Sequence, residues 1–217
     1  MKTSKILLPS LMSLILLTSC SDDTITGSGK LVTETRTVSE FTSVSSEGVF
    51  EINITESDTQ SVEVTADENI IHNVMTSVSG QELRLYLKGD SYENITLQSN
   101  IEVVGLNGIS NSGVGNINAT GVKNEGEFRV YNSGTAYISI KGESTDLNIL
   151  NEGTGDFKGF DFEVSSCEIE NVGTGDIEVN CSESLDVTIT GSGDVYYKGH
   201  PTINVEISGS GKVVDAN

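Results

Sequence analysis

The sequence predicts an all-β protein, a parallel β-helix wound in coils of roughly 18–21 residues, and three observations carry that expectation. The first is a repeat. One pattern recurs six times, as Asn111-Ser-Gly-Val-Gly-Asn-Ile117, Asn132-Ser-Gly-Thr-Ala-Tyr-Ile138, Asn151-Glu-Gly-Thr-Gly-Asp-Phe157, Asn171-Val-Gly-Thr-Gly-Asp-Ile177, Ile189-Thr-Gly-Ser-Gly-Asp-Val195 and Ile207-Ser-Gly-Ser-Gly-Lys-Val213. Successive first glycines are 21, 19, 20, 18 and 18 residues apart, a period that belongs to stacked repeats, a solenoid. The second is alternation on both sides of each glycine turn. Phe128 and Val130, Leu147 and Ile149, Cys167 and Ile169, Leu185 and Val187, and Ile203 and Val205 precede the turns, while Ile117, Ile138, Phe157, Ile177, Val195 and Val213 follow them. Apolar residues at every second position make half-buried strands, and two glycines per repeat argue against helix. The third is a column in phase with the inward apolar positions, Asn111, Asn132, Asn151 and Asn171, continued by Ile189 and Ile207. Stacked amides can pass hydrogen bonds from coil to coil and so satisfy polar groups that are costly to bury.

The N-terminus comes first in chain order. Lys2 and Lys5 precede an apolar run from Ile6 to Leu17, followed by Leu17-Thr18-Ser19-Cys20. This is the layout of a secretory signal, and the apolar run is short for a membrane crossing. It resembles the lipobox of bacterial lipoproteins, which implies that residues 1–19 are removed and that Cys20 is the lipid-attachment site. Ser21 resembles the sorting residue of lipoproteins sent to the outer membrane, and Asp22-Asp23 resembles an acidic export signal to the cell surface of Gram-negative bacteria. Several acyl chains on one residue anchor a protein without a transmembrane helix.

Residues 20–30, with Gly27-Ser-Gly29, read as the lipidated cysteine and a flexible tether. Residues 31–217 read as a single domain, irregular over 31–105 and regular over 106–217. In the irregular part, strands are predicted at Val49–Ile54, Val62–Val64, Val74–Val78, Leu83–Leu87 and Ile95–Leu97, with one helical turn at Asp67–Ile71. These runs lack the glycine signature and read as first coils with an atypical N-terminal cap, as the terminal repeats of a solenoid generally are.

With 12 basic and 32 acidic residues the formal net charge is −20, and removal of residues 1–19 would take two of the lysines. So acidic a body is repelled by polyanions, which excludes nucleic acid as a partner. It suits solubility.

The opening Phe41-Thr-Ser-Val-Ser and Val49-Phe-Glu-Ile-Asn-Ile, followed by repeated Gly-Thr-Gly-Asp and Gly-Ser-Gly-Asp turns, resembles the family called putative auto-transporter adhesin, head GIN domain, over residues 38–214. The resemblance implies a right-handed parallel β-helix with a role in adhesion or surface interaction. It implies no catalytic residues.

Chemistry-bearing motifs are few. The sequence holds no Gly-x-Ser-x-Gly elbow, phosphate loop, His-Glu-x-x-His or Cys-x-x-Cys. Its two histidines, His72 and His200, lie far apart in sequence, and His200 precedes Pro201 in a turn. Asp156, Asp176 and Asp194 recur at one place in consecutive coils, so they are candidates for a cation-binding column or for the acids of a polysaccharide lyase or hydrolase. Turn chemistry is the favoured explanation, Lys212 ends the column, and Arg36, Arg84 and Arg129 are scattered. Cys167 falls in an inward column while Cys181 lies 14 residues on in the same coil, leaving two buried thiols or a disulfide open. Trp is absent, and Tyr137, Tyr196 and Tyr197 form no obvious row for stacking on sugars.

The resulting expectation is a non-enzymatic adhesion or binding module without cofactor, metal or catalytic residues. It is held in the outer membrane by its lipid and exposed at the cell surface, with a glycan or protein ligand. The alternatives are a polysaccharide-acting lyase or hydrolase, or a structural spacer in an envelope complex.

Overall fold

The computed structural model describes residues 24–89 and 91–217, so the signal segment, Cys20, Ser21 and Asp22-Asp23 lie outside the described residues. Within them the chain is all-β. Its strands are β1 (Ile25–Thr26), β2 (Leu31–Thr35), β3 (Ser43–Glu47), β4 (Val49–Glu56), β5 (Ser61–Asp67), β6 (Val74–Ser79), β7 (Glu82–Leu87), β8 (Tyr92–Glu93), β9 (Leu97–Val103), β10 (Gly108–Asn111), β11 (Val114–Asn132), β12 (Thr135–Asn151), β13 (Phe157–Asn171), β14 (Ile177–Ile189), β15 (Val195–Lys198), β16 (Thr202–Ile207) and β17 (Val213–Asp215). A 3-10 turn spans Ile71–Asn73, so the helical turn expected at Asp67–Ile71 forms a few residues later. β1 pairs with β8, and the other strands join one large mixed sheet.

From β10 onward every pairing is parallel, and the rows predicted from the repeat are rows of partners. Asn111, Asn132, Asn151, Asn171, Ile189 and Ile207 stand in one row. Ile117, Ile138, Phe157, Ile177, Val195 and Val213 stand in another. The glycine column has a cause that differs from turn conformation. A Cβ on Gly173 would lie 1.9 Å from the carbonyl oxygen of Gly153, so the stacked backbones approach too closely for any side chain.

The N-terminal part is organised differently. β3 and β4 extend the parallel stack beside β10 and β11. β7 and β9 then pair in parallel with the other edges of β3 and β4, so residues 82–103 lie outside residues 43–56 although they follow them in sequence. Antiparallel strands finish this end, β6 on β7, and β5 on β9 with β2 on β5. Of the strand expected at Ile95–Leu97 only Leu97 is strand, as the first residue of β9, which runs on to Val103.

Residues 24–30, expected to belong to a flexible tether, are fastened to the body. Besides the β1–β8 pairing, the buried carboxylate of Asp67 accepts the Gly29 amide at 2.6 Å and the Thr96 amide at 2.8 Å. The Asn69 side chain accepts from Ser28 N–H and donates to the Thr26 carbonyl. Ordering this stretch is possible because its backbone groups find partners that solvent would otherwise supply.

One apolar core runs from Phe41 to Val195, with Phe128 and Phe162 edge to face at 5.3 Å between ring centroids. Cys167 sits in it between Leu147 and Leu185, and Cys181 is buried too. Both are free thiols. At the C-terminal end the expected inward positions Ile203, Val205 and Ile207 are 39%, 40% and 44% exposed. No described strand lies beyond β16 to cover them.

Candidate binding face

The aspartate column is occupied with holding turns together. Asp156 Oδ1 accepts the Asp176 amide at 2.9 Å, Asp176 Oδ1 accepts the Asp194 amide at 2.8 Å, and Asp194 Oδ1 accepts the Lys212 amide at 2.9 Å. Each carboxylate thus caps the turn of the following coil, as Asp does in turns generally. Lys158 lies 3.7 Å from Asp156, and Lys212 lies 3.5 Å from Asp194. Tyr196, beside this column, has its phenol pushed above the ordinary value by the charge of Asp176, by desolvation and by Asp194.

The other sequence candidates do not converge. His72 is exposed in the 3-10 turn near the antiparallel end, and His200 is exposed just before β16 at the opposite end. Tyr131 and Tyr137 flank the same glycine turn on different strands.

Two arginines fall on one face, through strand order that the sequence does not display. β7, β3, β10 and β11 are consecutive neighbours, which sets Glu82, Ser43, Gly108 and Arg129 in one cross-strand row and Arg84, Ser45, Ser110 and Tyr131 in the next. Arg84 and Arg129 are therefore on one face in neighbouring rows, three strand spacings or about 14 Å apart across the strands and two residues apart along them. Beside Arg129 is a cleft of about 300 Å³, lined by Ser43, Gly108 and Ser110 and by the longer Glu82, Glu127, Arg129 and Tyr131, with Arg84 outside its lining. Gly108 keeps the cleft open. A Cβ there would already touch the Arg129 carbonyl at 3.3 Å and Ser43 at 3.5 Å, and a longer side chain would fill the space.

The groups around the cleft are positioned by their neighbours. Arg129 pairs with Glu127, and the Tyr131 hydroxyl donates to Glu152 at 2.7 Å, which leaves the ring 37% exposed as a residue. Arg84 pairs with Glu47, whose hydrogen bond and charge raise the guanidinium above its ordinary value, and its Cζ lies 4.8 Å from the Tyr86 ring centroid. The cleft combines donors, acceptors and an aromatic face, an arrangement suited to orienting a polar ligand. The alternation within Glu82–Leu87 and Gly108–Asn111 shows that these side chains point outward. Only the spatial order of the strands shows that they point outward together.

Comparison with known proteins adds the family. Residues 40–201 match the family model described as putative auto-transporter adhesin, head GIN domain. A crystal structure of a putative adhesin from Bacteroides fragilis NCTC 9343 is 24% identical, with a TM-score of 0.69 over 88% of this chain and 99% of that one. Another, of a putative adhesin from Parabacteroides merdae ATCC 43184, is 22% identical, with a TM-score of 0.52 over 90% of this chain and 100% of that one. Both are likenesses of fold. No curated protein matches the chain.

Proposed function

The chain belongs to the putative auto-transporter adhesin, head GIN domain family, and on that premise we propose that it is a non-enzymatic adhesion module. In this reading it is a right-handed parallel β-helix held in the outer membrane of a Gram-negative bacterium through lipidated Cys20 and displayed at the cell surface. The observation that carries the binding role is the cleft beside Arg129, where the strand order gathers cationic, aromatic and carboxylate side chains on one face. Its ligand is a polar macromolecule of a cell surface, a glycan or a protein. The module reading is favoured over a lyase or hydrolase because the repeated aspartates are engaged by backbone amides.

The test is an array of glycans and matrix proteins probed with the full chain and with Arg129→Ala and Tyr131→Ala. Binding to a defined ligand class that falls at least tenfold in both variants supports the proposal. Absence of binding, or binding that neither variant alters, overturns it.

A further inference from the structure

β16 and β17 both end the stack with open edges, and that of β16 is the longer. Ile203, Val205 and Ile207 continue the rows of Leu185, Val187 and Ile189, which are buried, yet they remain 39–44% exposed. Their main-chain groups are free as well. Ser208 N–H donates to the Ile189 carbonyl, and alternate residues of a strand direct N–H and C=O to opposite sides. Thr202, Asn204 and Glu206 therefore bond β14, while Ile203, Val205 and Ile207 turn their N–H and C=O to the free edge. At the opposite end of the sheet, antiparallel strands finish the stack. Among the described residues nothing does so for β16. A bare apolar edge of this kind is a template for another strand.

We propose that this edge pairs with the same edge of a second copy, antiparallel, about a two-fold axis through Val205, joining two molecules end to end. An isologous contact of this kind must be complementary to itself, and one register meets every requirement. With Val205 opposite Val205 of the second copy, Ile203 stands opposite Ile207, so all the edge-facing N–H and C=O groups of the three residues are paired. The same register puts apolar side chains opposite apolar ones. On the outer side it sets Asn204 opposite Glu206, an amide against a carboxylate. Sliding two residues one way brings Glu206 against Glu206, which is repulsive. Sliding two residues the other way brings Pro201, which has no N–H, into the pairing. A slip of one residue sets bonded groups against free ones and apolar side chains against polar ones.

The join has a geometric consequence that rests on the anchor proposed at Cys20. Thr24, the first described residue, lies at the antiparallel end, so end-to-end pairing places the two copies' Thr24 residues, four positions on from the proposed anchor, at opposite extremes. That is the geometry of a bridge between two surfaces. The net charge of −20 on the full chain, more negative still once Lys2 and Lys5 are removed, opposes the approach, and salt screens that repulsion. The dimer strengthens as ionic strength rises.

Two differently tagged full-length copies carrying Asn204→Cys and Glu206→Cys test the register. Purified in detergent, mixed and oxidised, they are expected to give a disulfide-linked heterodimer at least tenfold more abundant than the homodimer of either variant alone. Introducing Val205→Lys into both is expected to abolish the cross-link while leaving the thermal melt in place, and sedimentation of the unmodified chain should show a dimer that Val205→Lys dissociates. Cross-linking no greater in the mixture than in the single variants, or a monomer at every salt concentration, overturns the pairing. If the dimer forms in detergent but fails to bring chain-bearing vesicles together, the pairing stands and the bridge between surfaces is refuted.

Discussion

Asn151 Nδ2 donates to Asn171 Oδ1 at 2.9 Å, and both side chains are buried. The same bond joins Asn111 to Asn132 and Asn132 to Asn151, so each amide passes a hydrogen bond to the next coil. The ladder ends where Asn171 Nδ2 turns to the carbonyls of Gly175 and Gly193, and the next members of the row are Ile189 and Ile207. Replacing Asn151 by Leu keeps the number and branching of side-chain heavy atoms but leaves Asn132 without its acceptor and Asn171 without its donor. The expected cost is about 2–4 kcal/mol, from two unsatisfied buried groups at about 1–3 kcal/mol each less some relaxation. Urea unfolding measures it, and a midpoint equal to the parent's would contradict the ladder.

This column was legible in the sequence because its period is fixed and its members are in phase with apolar neighbours. The aspartate turns were legible for the same reason, although their role in capping the following coil needed the positions of the amides. The N-terminal part was less so. Nothing local in Glu82–Leu87 says that it stacks outside Ser43–Glu47, because parallel neighbours are chosen by the closure of the whole stack rather than by the residues between them. The placing of Arg84 and Arg129 on one face follows from that order and was hidden with it. The fastening of residues 24–30 depends on Asp67, some forty residues on, and a Gly-Ser-Gly segment gives no hint of such a partner.

Ile177 and Glu178 are adjacent and face opposite ways. Ile177 is wholly buried between Phe157 and Val195, so Ile177→Asp strands a carboxylate in the core and should cost about 3 kcal/mol or more. Glu178 pairs with Lys158 at 2.9 Å, with both side chains partly in solvent, and Glu178→Ala should cost no more than about 1 kcal/mol. Thermal melts of the two variants check the register. Equal shifts would refute it.

Cys167 and Cys181 should be inert in the native protein. Both are buried, and Cys181 Sγ lies 2.8 Å from the Ser184 carbonyl and 3.2 Å from that of Ser165, which calls for a protonated thiol as donor. The hydrogen bond between the two sulfurs, together with burial, pushes the Cys167 thiol well above its ordinary value, and the same bond lowers Cys181 to about 7. Thiolate is the reactive form, so the protection of Cys181 rests on its burial, and a disulfide-exchange reagent at neutral pH should modify neither residue until denaturant is added, and then both. Rapid native modification of either would show an opening at β13–β14 that these contacts deny.

Cys20→Ala tests the proposed anchor independently of the fold. The described strands and core begin after residue 20, so the variant should melt like the parent. If acylation of Cys20 supplies the membrane attachment, fractionation should move the protein from the membrane pellet to the soluble fraction. Retention in the pellet at the parental level would exclude Cys20 as the anchor.

Asp176 separates a structural column from a catalytic one. Its carboxylate accepts the Asp194 amide, and its own amide donates to Asp156. Asn supplies the same acceptor without the charge, so Asp176→Asn should change stability by less than about 1 kcal/mol, whereas Asp176→Ala loses the cap and should cost about 0.5–2 kcal/mol, as comparable caps do. A catalytic acid or base behaves in the opposite manner, because amide in place of carboxylate removes the titrating proton and lowers turnover by orders of magnitude even when the fold is untouched. The paired measurement is a denaturation midpoint and an assay for cleavage of surface polysaccharides by the parent and both variants. Cleavage by the parent that disappears in Asp176→Asn at unchanged midpoint would make the column an active site, while a stability loss confined to Asp176→Ala is the outcome expected of a turn cap.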